Sequence, residues 1–177
     1  MKASTTILMA TAMLAFGLLA FPSAALAGTQ RQAFLPPHGV LIAGRSLAGV
    51  HLGDTSADVR AKWGTNYRAC NGCKLTTWIY IYETKPVGAA VIFKGNHVVA
   101  VFTLGSPFGW RTQKGLTLGA DIHSFVAMYP APTMGYKDCI GFNALSMQQG
   151  GTVTSIYTQA ESVYGFALTL AGEPVCL

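Results

Sequence analysis

Acidic residues are scarce in this chain. Seven Asp and Glu stand against twelve Lys and Arg in 177 residues, and charged residues of both signs make up only 11%. With 51% hydrophobic residues, that balance excludes a highly charged disordered chain. Past the first two dozen positions no apolar run is long enough to cross a bilayer, so no membrane span is expected. There is no Gly-x-Ser-x-Gly elbow and no phosphate-binding loop; Gly150-Gly151 is short and lies between strand patterns. His38, His51, His97 and His123 lack the close spacing of a zinc site, so no metal and no cofactor is expected. The acids (Asp54, Asp58, Glu83, Asp121, Asp138, Glu161, Glu173) mostly fall at caps, turns or loops, and no two form a pair in an apolar context. The basic residues, among them Arg45, Arg60, Lys62, Lys74, Lys94, Arg111 and Lys114, are scattered. No contiguous stripe tracks a phosphate backbone, so no nucleic-acid partner is expected. These absences leave open only a catalytic site assembled from distant residues.

What is present begins with an export signal. Lys2 precedes an apolar run from Ile7 to Phe21, and Ala25-Leu26-Ala27 has the small-x-small pattern of a cleavage site. Residues 1–27 therefore read as a signal peptide, with the mature chain beginning at Gly28 and exported to the medium or periplasm. Residues 28–39 read as a flexible leader containing Pro36-Pro37. Four cysteines follow, Cys70, Cys73, Cys139 and Cys176, and an even count in an exported chain implies disulfides. Three connectivities are possible. The expected one is Cys70–Cys73 and Cys139–Cys176. Cys70-Asn71-Gly72-Cys73 also has redox spacing, but a thioredoxin-type site opens a helix, whereas a β-run follows here.

The organising motif is Gly49-Val50-His51-Leu52-Gly53-Asp54, which returns as Gly115-Leu116-Thr117-Leu118-Gly119-Ala120. A short helix is expected after each copy. Thr55 or Asp54 caps the first, Val59 and Trp63 share its face, Asp58 is placed to pair with Lys62, and Gly64 stops it. Asp121 caps the second, and Ile122, Phe125, Val126 and Tyr129 form its apolar stripe before Pro130. The rest reads as strands: Leu75–Tyr82, Ala89–Lys94 and His97–Leu104 after the first helix, then Ile140–Met147, Thr152–Gln159 and Val163–Leu170 after the second. Gly95-Asn96 and Gly150-Gly151 supply hairpin turns. Val98, Val101 and Phe102 line up with Val153, Ile156 and Tyr157. The expected class is α+β: two tandem units, residues 40–107 and 108–177, each a short helix packed on an antiparallel β-meander.

This plan, a Gly-x-x-Leu-Gly turn and then a short helix and a meander, resembles exported bacterial proteins of the β-lactamase-inhibitor-like and SmpA/OmlA-like group. The resemblance covers Val40 to Leu177 and is nearest to secreted tandem members. It implies a binding or envelope-assembly role. The inhibitors carry two such units, and the SmpA/OmlA-type lipoproteins carry one and assist barrel assembly. This chain has no lipid-attachment cysteine, and no functional residue carries over from either family.

Trp78, Tyr80 and Tyr82 alternate along one strand and point to one face. Either they form an exposed aromatic surface suited to a protein partner, or they pack in the core. The functional expectation is a non-catalytic exported module that binds an extracellular or envelope protein through this face. The oligomeric state is left open. One alternative is an envelope structural or assembly factor; another is a small secreted enzyme with a composite site.

Overall fold

The computed structural model describes residues 35–80, 88–129 and 135–176. The signal segment and Tyr82 lie outside them. In the duplicated motif, Gly49 and Gly53 have φ of +81° and +85°, and Gly115 and Gly119 have +91° and +80°. A side chain is strained in that region, so both copies require glycine where the chain reverses.

In chain order the elements are β1 (His38–Ile42), β2 (Ser46–Leu47), β3 (Val50–His51), α1 (Ser56–Trp63), β4 (Tyr67–Ala69), β5 (Thr76–Tyr80), β6 (Ala89–Lys94), β7 (His97–Leu104), β8 (Gly109–Thr112), α2 (Ile122–Met128), β9 (Gly135–Cys139), β10 (Phe142–Gln149), β11 (Thr152–Gln159) and β12 (Ser162–Leu170). They form two sheets. One has four strands in the order β3-β2-β1-β8; the other has eight in the order β4-β5-β6-β7-β12-β11-β10-β9.

The α+β expectation is overturned, because the molecule is mostly β. The helices have eight and seven residues. The meanders do not belong to separate units: β7 pairs antiparallel with β12, with Thr103 opposite Phe166, and fuses them into one continuous sheet. Segments read as lead-ins to the motifs build the second sheet. There β1 and β8 run parallel, with Val40 opposite Arg111. Local pattern missed this pairing because its partners are far apart in sequence. Residues 35–39, read as part of the leader, also belong to the fold. Leu35 is in the core, and Trp110 Nε1–H donates to the Pro36 carbonyl at 2.8 Å.

The strand correspondence is corrected as well. Gly53 N–H donates to the Val98 carbonyl and Val98 N–H to the Asp54 carbonyl, at 2.8 and 2.9 Å. In the second copy Gly119 N–H donates to Val163 and Val163 N–H to Ala120, at 2.8 and 2.7 Å. Val98 therefore corresponds to Val163 on β12, not to Val153 on β11. Buried positions recur every second residue along both β11 and β12, so the period of two cannot distinguish one strand from the other.

Thr55 caps α1 in a reciprocal box with Asp58: Asp58 N–H donates to Thr55 Oγ1 at 3.2 Å, and Thr55 N–H to Asp58 Oδ2 at 2.9 Å. Asp58 is thus committed to the cap and does not pair with Lys62 as the helical spacing implied. Asp121 caps α2, accepting from Ser124 N–H at 2.9 Å. Of the expected stripe on α2, Phe125 and Tyr129 are buried, whereas Val126 is 52% exposed.

One main core joins both sheets and both helices and crosses residues 107/108, holding Trp63, Val91 and Trp110 together with Phe125, Ile156 and Phe166. Trp63 sits at its centre. It meets Tyr80 edge-on at 5.4 Å and Trp110 at 5.4 Å, and its Nε1–H donates to the Ala48 carbonyl at 3.0 Å. A smaller cluster around Ala144, Tyr157 and Ala167 lies apart from this core. The disulfides are Cys70–Cys73 and Cys139–Cys176, with Cα separations of 5.7 and 5.3 Å. Among the described residues no helix is long and apolar enough to cross a membrane.

Candidate functional site

Of the aromatic stripe, Trp78 and Tyr80 follow the core-packing alternative, and Tyr82 lies outside the described residues. Trp78 is 8% exposed and Tyr80 is fully buried. Tyr67 stacks on Trp78 at 4.0 Å, Phe93 meets it at 4.7 Å, and the Arg60 guanidinium lies 5.2 Å from its ring. The Tyr80 hydroxyl donates to the Gly64 carbonyl at 3.2 Å, and burial raises its pKa well above the usual tyrosine value. The physical reason is that this face of β5 looks towards α1 and the four-stranded sheet, and large aromatic surface is used to fill that gap.

A different surface gathers polar chemistry. Alternation along β1 buries Gly39 and Leu41 and leaves His38, Val40 and Ile42 facing outward. On β8 the same alternation buries Trp110 and exposes Arg111. On β3, Val50 is buried and His51 is partly exposed. Arg45, in the β1–β2 turn, and Lys62, on α1, complete the rim. Together these residues line an open cleft of about 930 Å³ over the outer face of the four-stranded sheet. Its floor is backbone and small or aliphatic side chains, including Val40, Ile42 and Ala48. Its charged lining among the described residues is cationic, Arg45, Lys62 and Arg111, joined by His38 and His51 and by no carboxylate.

The nearest acid stands behind the rim and organises it. Asp54 Oδ2 accepts from His51 N–H at 2.7 Å and from Lys62 Nζ at 2.5 Å, and lies 3.6 Å from His51 Nδ1. Lys62 Nζ is also 3.5 Å from His51 Nδ1. Asp54 is only 17% exposed at its side chain, and Lys62 is 32% exposed. One carboxylate thereby holds the Lys62 ammonium and the His51 backbone at one edge of the cleft.

Ser46 lines the same cleft and is the cross-strand partner of His51. No hydrogen bond joins Ser46 Oγ to His51, and Asp54 is shared with Lys62. The arrangement lacks the linked nucleophile–base–carboxylate geometry of an activated serine.

Sequence reasoning missed the cleft because it saw the basic residues as scattered. Arg45, Lys62 and Arg111 converge only through the parallel pairing of β1 with β8 and the packing of α1 beside β3. The available signal was the alternation His38-x-Val40-x-Ile42, an amphipathic strand whose first two residues lie in the expected leader. The other expected site residues are the four cysteines, which form two disulfides at separate places. Cys73 and Cys176 do approach a common apolar groove of about 580 Å³ beside Ile92 and Ala100. Among the described residues no group of His, Cys, Asp and Glu is arranged to hold a metal ion.

Comparison with protein-family models and with curated proteins finds no match. Among solved structures the chain is similar to an extracellular protein containing an SCP domain from Bacillus anthracis, with TM-score 0.52 and 11% identity over 68% of this chain. The match spans 44% of that protein, less than half its length. It is also similar to YjgB of Bacillus subtilis, a DUF4309 family protein, with TM-score 0.51 and 13% identity over 70% of this chain and 84% of that one. At these identities the likeness shows the fold alone.

Proposed function

We propose that this is an exported, non-catalytic binding protein whose recognition surface is the cationic cleft on the outer face of the four-stranded sheet. The observation that carries the reading is the convergence of Arg45, Lys62 and Arg111 over one cleft that no carboxylate among the described residues lines. Two disulfides support an oxidising, exported setting. The glycine-turn resemblance to inhibitor-like and SmpA/OmlA-like proteins fits a binding role. The partner is anionic, because Arg45 and Arg111, which pair with no carboxylate among the described residues, stand over a low-polarity floor beside the Asp54-held Lys62 and favour anions over cations.

The test compares the mature protein with an Arg45→Gln/Lys62→Gln/Arg111→Gln variant as baits in envelope extract and culture medium. Circular dichroism first confirms that the variant folds. A partner retained by the wild type, released by salt and lost with the variant is the expected result. Equal capture by both baits overturns the cleft as the site.

A further inference from the structure

The spacing of the cleft's charges points to the shape and chemistry of its occupant. Arg111 lies on β8, one edge of the four-stranded sheet, and His51 lies on β3, the other edge. Three strand spacings separate them, or roughly 14 Å. Lys62 stands with His51 through Asp54. Cationic side chains thus stand at both edges, Lys62 held in place by Asp54, and Arg45 stands at the β1–β2 turn between them, while Val40 and Ile42 floor the middle. A single small anion reaches only one edge. A chain laid across the strands reaches both, and the second contact then forms at high effective concentration.

Two features choose the chain's chemistry. The cleft lies on a sheet face, where the backbone N–H and C=O groups are already paired in the ladders. A peptide crossing it therefore gains none of the main-chain bonds that edge addition supplies. Among the described residues no Phe, Tyr or Trp lines the cleft, so these offer nucleobases no stacking platform. We propose that the occupant is a linear, non-peptidic polymer of phosphate groups, lying across the four strands and held at the Arg111 edge and the His51/Lys62 edge at once. This rests on the binding reading above and adds the length and class of the ligand.

The experiment is calorimetric titration of the mature protein with orthophosphate, tripolyphosphate and long-chain polyphosphate at fixed ionic strength. Concentrations are expressed per chain and corrected for the number of sites on it. Long chains are expected to bind at least about tenfold more tightly than tripolyphosphate. Arg111→Gln or Lys62→Gln alone should bring the long chain down towards the tripolyphosphate affinity. Lys94→Gln, the same charge change away from the cleft, should leave it unaltered. Equal site-corrected affinity for short and long chains would overturn the two-edge grip while leaving anion binding intact. An equal loss with Lys94→Gln would reduce the effect to net charge and overturn it too. Equally tight binding of oligoglutamate or of a single-stranded oligonucleotide of the same span would overturn the chemical class. No binding of any anion would remove both this inference and the binding reading.

Discussion

Asp54 accepts two hydrogen bonds with one oxygen, from the His51 backbone N–H and the Lys62 ammonium, and the His51 ring lies 3.6 Å from it. A simple charge argument says that removing this carboxylate should favour anion binding, since the net charge rises by one. The geometry says otherwise, because without Asp54 the Lys62 side chain is free to swing into solvent and His51 loses its hold. Asp54→Asn is expected to weaken polyphosphate binding severalfold in a calorimetric titration, and tighter binding would show that Asp54 only competes with the ligand. Phe125 answers to a different physics. It is 2% exposed and stacks on Tyr129 at 5.6 Å. Phe125→Ala should cost about 3–5 kcal/mol in a denaturant melt, the range for a large aromatic cut back in a core. A loss below about 1 kcal/mol would mean that the site collapses without leaving a cavity.

At the scale of the element, the helix caps carry a pH dependence. The hydroxyl and then the backbone N–H of Thr55 hold the Asp58 carboxyl below its usual pKa. The backbone N–H and then the hydroxyl of Ser124 do the same for Asp121. Because both folded values lie below the unfolded value, the caps stabilise fully above the ordinary aspartate pKa of about 3.9 and lose that contribution as pH falls through the lower folded values. An Asp58→Ala/Asp121→Ala variant should melt below the wild type near neutral pH, with the gap closing as pH falls below the ordinary aspartate range. A gap that does not change with pH would assign the difference to helix propensity. The two disulfides differ by the loop each closes. Cys139–Cys176 spans 37 residues of sequence and holds the C-terminal segment, where Tyr157 Oη–H donates to the Val175 carbonyl at 2.6 Å. Cys70–Cys73 spans three. Loop-closure entropy gives about 4 kcal/mol for the long loop and about 2 for the short one. Replacing the pair Cys139/Cys176 by serine should therefore cost more than replacing Cys70/Cys73, as read by denaturant melts of the two variants.

For the whole molecule, the shared core and the β7–β12 pairing make residues 40–107 and 108–177 depend on each other. Thermal unfolding is expected as a single transition, with calorimetric and van't Hoff enthalpies equal. Two separated transitions would show that the halves fold independently. How much of this was legible differs by kind of signal. The glycine turns, the Thr55 and Asp121 caps, the hairpin β6–β7 and the strand Thr152–Gln159 were legible because each is written in neighbouring residues. The Trp78/Tyr80 stripe was legible as a face, but not as a buried one, since alternation says which side chains share a side and nothing about what covers it.

The sequence by itself determined the local grammar: where the chain must turn, where helices start and which residues alternate. It also pointed to the two cysteine pairs. Only the tertiary structure decided that the meanders join into one eight-stranded sheet, that the end of the supposed leader, His38-Gly39, opens a strand, and that scattered cations meet over one cleft. Those outcomes depend on pairings between segments far apart in the chain, such as Val40 with Arg111 and Thr103 with Phe166. Backbone hydrogen bonding is nearly indifferent to side-chain identity, so the sequence carries little local record of which strand will lie beside which.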